Sequence, residues 1–129
     1  MMKLIIRRNQ ADVKGLFGGH KGVRFTLYAQ VQISDEEKAL INRYKVGDYI
    51  LAEYELKVPF REDKVRFHWS VNDLIRGKQV ETEDIGTLLE LEESVKRGCV
   101  ALKTWLEVMR TFGGEEVIDV DELAEMMGK

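Results

Sequence analysis

The sequence predicts an α+β domain: a three- or four-stranded antiparallel sheet, a short crossover helix, and one long C-terminal helix packed on a face of the sheet. Two patterns carry that expectation. Val23, Phe25, Leu27, Ala29, Val31 and Ile33 alternate with Arg24, Thr26, Tyr28, Gln30 and Gln32, the period of a strand with one buried face. Ile85, Leu88, Glu92, Val95, Cys99, Leu102, Leu106 and Met109 recur at alternating spacings of three and four, the period of an amphipathic helix. The polar face left by the first pattern favours an antiparallel sheet over a parallel one, which would be buried on both sides.

The elements follow in order. Residues 2–8 read as a short strand around β-branched Ile5 and Ile6, and residues 9–22 as a loop carrying Gly15, Gly18, Gly19 and Gly22. The clear strand spans residues 23–34. Ser34-Asp35-Glu36-Glu37 then matches a capping box, because Ser34 can accept from the N3 amide while Glu37 reaches back. A helix to Tyr44, burying Leu40, Ile41 and Tyr44, follows. Residues 48–58 and 65–71 alternate again on either side of a turn opened by Pro59, the only proline, and read as a hairpin. Residues 72–76 form one helical turn closed by Gly77. The long helix runs from Thr82 to Phe112, with Glu83 and Asp84 in its first turn and Gly113-Gly114 as its stop. The last residues hold Val117, Ile118 and Val120, then one turn through Leu123, Met126 and Met127. The whole chain reads as one domain, residues 1–129, with 113–129 as a flexible or docking tail.

The long helix is too long for its domain. Thirty residues rise about 45 Å, whereas a compact chain of this size is roughly 36 Å across. Gly98, after Lys96 and Arg97, is the natural break, but the apolar seam passes through it in register, so the expectation is a continuous helix. From Cys99 onward it should be buried on most of its circumference. The acidic first half should overhang, with a single apolar stripe needing cover. That stripe gives candidate interface residues Ile85, Leu88, Leu89, Glu92 and Val95, for a protein partner or for a second copy in a homodimer. Strands or the C-terminal tail of the same chain are the competing cover.

Composition bounds the chemistry. The chain has 129 residues, 44% hydrophobic and 33% charged, enough for a core without metal or disulfide staples. A lone cysteine, Cys99, excludes an internal disulfide, and its place on the seam makes it a buried thiol. With one cysteine and two histidines, His20 and His68, at no ligand spacing, no zinc or iron site is expected. No catalytic residue or cofactor motif rises above background, and the chain leans away from enzymes. No apolar run approaches bilayer length, and Arg7-Arg8 follows the N-terminal apolar residues too soon for a signal peptide. The expected compartment is the cytoplasm.

Charge is divided unevenly. Residues 1–24 carry six bases against Asp12 alone, and residues 80–129 carry thirteen acids against five bases. The glycine-rich loop, residues 15–22, departs from a phosphate-binding loop: Lys21 is two residues beyond Gly19, no hydroxyl residue follows it, and a strand rather than a helix comes next. Two functions therefore stand. The first is a small non-enzymatic interaction or assembly domain that uses the long helix. The second is a small-ligand, nucleotide or nucleic-acid binder using that loop and the neighbouring strand face, through His20, Lys21, Arg24, Tyr28, Arg66 and His68. A pI near 5.5 weighs against nucleic acid.

Overall fold

The computed structural model describes residues 2–14, 21–57 and 64–128. It has the expected α+β architecture, with the strands divided between two antiparallel sheets. β1 (Lys3–Lys14) and β2 (Lys21–Gln32) pair along their full lengths, from Lys3 opposite Gln32 to Lys14 opposite Lys21. Residues 9–14, expected in a loop, thus belong to β1. They lack an alternating pattern of their own, and the ladder to β2 satisfies their backbone groups instead.

Helix α1 (Asp35–Tyr44) carries the chain from the first sheet to the second. Its capping box is complete: the Ser34 hydroxyl accepts from the Glu37 amide at 3.1 Å, and the Ser34 amide donates to Glu37 Oε1 at 2.8 Å. β3 (Ile50–Lys57) and β4 (Lys64–Ser70) form the hairpin expected from their alternation, as a separate two-stranded sheet. The turn expected at Pro59 lies outside the described residues. The short helix α2 (Val71–Arg76) begins with a second capping box, Ser70 with Asp73.

Two features follow that the apolar pattern does not reveal. β5 (Lys78–Thr82) joins the first sheet beside β2, with Val80 opposite Leu27. It holds a single apolar residue, so no alternation announces it. The long helix, α3 (Ile85–Thr111), consequently starts later than expected. Thr82 ends a strand, and Asp84 is the N-cap, accepting from the amides of Gly86 and Thr87.

α3 is continuous through Gly98. A Cβ at Gly98 would stand 2.9 Å from the Leu51 carbonyl oxygen and 3.1 Å from Leu51 Cβ. Glycine is there because helix and β3 cross in near contact, not because the helix ends. Around this crossing one core forms, from Leu27, Ala29 and Val31 of β2, Ala52 and Trp69 of the second sheet, and Leu88, Leu91, Val95, Leu102 and Leu106 of α3. Ile41, Val71 and Leu74 close it from the short helices.

The seam of α3 is buried along both halves, Leu102, Leu106 and Met109 included, but the extent of burial around each half differs from expectation. Thr87, Leu88, Leu91, Glu92, Ser94 and Val95 are all buried in the half expected to overhang. In the half expected to be enclosed, Val100, Val108 and Phe112 are exposed. Sheet strands lie under the first half, and the last turns meet α1, where Arg110 pairs with Glu36 and Glu37 at 3.0 and 3.2 Å, and Tyr49, whose ring lies 5.6 Å from that of Trp105. Beyond α3 every described residue from 113 to 128 is exposed, including those of α4 (Val120–Met126). No helix among the described residues is long and apolar enough to cross a membrane.

Candidate functional site

The residues expected to bind a ligand do not converge. His20 lies outside the described residues, and of Lys21 only the backbone is described, paired with Lys14 at the end of the first hairpin. Arg24 and Tyr28 lie on the outer face of the three-stranded sheet, opposite Ala11 and Arg7. Arg66 and His68 lie on the outer face of the other sheet, opposite Glu55 and Glu53. Arg66 is held there by both carboxylates, which raise its pKa through the Glu55 hydrogen bond and the charges of Glu53 and Glu55. The positive charge expected of that strand is thereby neutralised.

On the first sheet a narrower grouping exists. The Arg7 guanidinium carbon lies 5.0 Å from the centre of the Tyr28 ring, within cation–π range. Tyr28 donates to Gln30 Oε1 at 3.1 Å, and Gln30 in turn donates to the Ile75 carbonyl. Gly77, at φ +93°, sits so close that a Cβ would overlap the Tyr28 hydroxyl. Arg7 was not among the expected site residues. Its signal is visible only in register, because its partner Tyr28 is twenty-one positions away in the chain.

The expected interface stripe is mostly internal. Leu88 and Val95 are 2% and 0% exposed, covered by the chain's own core, and Glu92 is 5% exposed. Arg8 Nε and Nη2 donate to the two Glu92 carboxylate oxygens, each at 2.7 Å, and Lys96 lies 3.4 Å from Oε2. The Arg8 hydrogen bond holds the Glu92 carboxyl below the usual carboxylate range despite its burial. Glu92 is therefore the clamp between α3 and β1. Ile85 and Leu89 alone of the five stay exposed, one turn apart.

A larger apolar surface lies at the other end of α3. Val108 and Phe112 are exposed, and Phe112 leans on Tyr44 with ring centres 5.5 Å apart. The tail continues it through Val117, Ile118, Val120, Leu123, Met126 and Met127, with Val117 86% and Met126 83% exposed. α4 is capped by the Asp119 side chain, which accepts from the amides of Asp121 and Glu122, yet it buries nothing.

The concave sites offer little chemistry. One cleft of about 250 Å³ is lined by Met2, Glu37, Lys103, Glu107 and Arg110, and its Glu37 and Arg110 already bond each other. Another of about 250 Å³ lies beside the Gly98 crossing, between Leu51, Glu53, Ser94 and Arg97. Among the described residues no three His, Cys, Asp or Glu side chains gather as metal ligands. Cys99 faces the core half-buried, and burial pushes its thiol up to about 11.

No family model matches the chain, and no solved structure does. Over 87 residues, 67% of its length, the chain is 29% identical to the LexA repressor of Pseudoalteromonas atlantica. The chain spans only about two fifths of that protein, 41% of its length.

Proposed function

We propose that this chain is a small non-enzymatic interaction domain that associates with itself, and that the surface it uses is the C-terminal apolar element rather than the first half of α3. One observation carries the reading: Val108, Phe112, Val117, Ile118, Val120, Leu123, Met126 and Met127 are all left exposed between the last turns of α3 and the end of α4. Large exposed apolar patches mark interaction sites. The seven residues of α4 are too few to hold a helix in water alone, where about 12–15 are needed even for favourable sequences. Docking on a partner supplies what is missing. Ile85 and Leu89 form a smaller second patch. The half-buried thiol and the lack of any disulfide fit a reducing compartment such as the cytoplasm.

Sedimentation velocity from 1 to 500 μM tests it. The sedimentation coefficient is expected to rise with concentration, and Leu123→Asp or Met127→Asp is expected to hold the chain monomeric with its circular dichroism unchanged. A concentration-independent monomer would sink the proposal.

Nucleic-acid binding is the second reading, favoured by the Arg7–Tyr28 stack on the same sheet face as Arg24. Stacking aromatics among basic groups suit single strands, and the similarity to a repressor is compatible with it. It predicts oligonucleotide binding that Tyr28→Ala abolishes; no binding at low salt removes it.

A further inference from the structure

The self-association proposed above leaves open what the tail docks on. We infer that the extended segment just before α4, residues 115–119, adds as a strand to the free edge of β1 in a second copy of the chain. This inference rests on the self-association reading and names its acceptor.

β1 is an edge strand twelve residues long, paired only with β2 among the described residues. Such an edge presents unpaired N–H and C=O groups and invites another strand. Its outer face carries Lys3, Ile5 and Arg7, one base, one apolar residue, one base at alternate positions. Basic side chains on an edge ordinarily discourage pairing. A strand of matching opposite charge turns that guard into a selector.

The tail holds that match. Residues 115–119 are in no helix or strand, and Glu115, Val117 and Asp119 give acid, apolar, acid at alternate positions. Laid antiparallel with Val117 opposite Ile5, the segment sets Glu115 opposite Arg7 and Asp119 opposite Lys3. The same register sets Ile118 opposite Leu4, where the core is only partly covered. The outer face is matched by this alignment, while on the inner face Ile118 meets Leu4 and Glu116 falls opposite Ile6.

The end of α3 lies near the start of β1, where Met2 lines a cleft with Lys103, Glu107 and Arg110, and Arg7 lies further along the strand. Arg8 is fixed to Glu92 at 2.7 Å, and Thr111, the end of α3, lies nineteen residues further along the helix, about 28 Å away. From Thr111 to Glu115 the chain spans at most about 14 Å when fully extended. Pairing Glu115 with Arg7 between two copies needs no such stretch, and two copies exchanging tails reciprocally close a twofold dimer.

The experiment is a charge exchange in the full chain. Arg7→Glu and Glu115→Arg are each expected to raise the dimer dissociation constant by roughly thirtyfold, about fivefold at each of two symmetric pairs. The double variant is expected to recover wild-type association. Hydrogen exchange at high and low protein concentration should show concentration-dependent protection at alternate amides of β1 and across residues 115–119. A dimer indifferent to both reversals, with protection at Ile85 and Leu89 instead, overturns the edge pairing and leaves self-association standing. A monomer at every concentration overturns both. Loss of oligonucleotide binding in Arg7→Glu, with association unchanged, assigns the face to nucleic acid and also overturns the inference.

Discussion

Glu92 shows how one side chain can be misplaced by its type and still be explained by its neighbours. A carboxylate on an apolar seam reads as a gap in the stripe, or as a polar spot in an interface. At 5% exposure it is neither, because Arg8 arrives from β1 with two parallel hydrogen bonds. Such a fork holds direction as well as charge. Glu92→Gln keeps the volume but loses the charge and one acceptor, and should cost about 1–2 kcal/mol in urea unfolding. Arg66→Met removes an ion pair of similar length on an open sheet face and should leave the midpoint unchanged, since exposed pairs are screened. Equal effects would mean burial is not what gives the Glu92 pair its weight. Nothing in the local sequence names Arg8 as the partner, eighty-four residues away; only the β1–α3 packing does. Cys99, by contrast, is legible from its seam position. With its thiol raised to about 11 by burial, it should react with a disulfide reagent at pH 8 over hours in the folded chain and within seconds in guanidinium. Rapid native labelling would show that the thiol is open.

At the scale of elements, what repeats is legible and what is held from outside is not. The alternation of β2 and the seam of α3 both appear in the structure because burial itself repeats along them. β5 and residues 9–14 of β1 do not repeat; they are strands because β2 lies beside them. The buried seam of α3 is legible, but how far burial spreads around each half of the helix is not. Thr87 and Ser94 lie off the apolar seam and are buried, whereas Val100 and Val108 are apolar and exposed. Gly98 explains much of this: a helix can approach β3 closely only where it has no side chain, so the small and polar positions turn inward. Gly98→Ala tests the account. Helix propensity alone predicts a gain of about 1 kcal/mol, but the added Cβ meets the Leu51 backbone, which cannot rotate away. A net loss of roughly 1–2 kcal/mol is expected from overpacking, while Val100→Ala on the open face should be neutral or slightly stabilising. If Gly98→Ala raises the unfolding midpoint, the crossing is looser than this geometry.

For the whole molecule, the division of charge along the chain becomes a division between folding and association. Among the described residues, four carboxylates are held below their ordinary range by their partners in the fold. In Glu92 the Arg8 hydrogen bond leads, and in Asp84 the Thr87 hydroxyl and Gly86 amide do. In Glu37 and Asp73 burial pushes upward but is outweighed, by Ser34 with Arg110 and by Ser70 with Lys78 respectively. A folded pKa below the unfolded one means that the unfolded chain binds protons first. The stabilisation is therefore complete above the unfolded carboxylate values, around 4, and is lost as pH falls through the lower folded values. The melting temperature should stay level from pH 8 to about 5 and then drop, with a shallower drop in Glu92→Gln. None of the tail carboxylates at 115, 116, 119, 121, 122 and 125 is ion-paired to a described residue. Those charges are free to act between molecules, where salt reaches them. At pH 7, raising sodium chloride from 50 to 500 mM shortens the screening length from about 14 Å to about 4 Å. Association through exposed opposite charges should weaken severalfold over that range, while the melting temperature of the Leu123→Asp monomer, whose clamp is buried at Glu92, should barely move. Parallel loss of both would place the tail's acids in the fold itself; loss of association alone places them in the contact between copies.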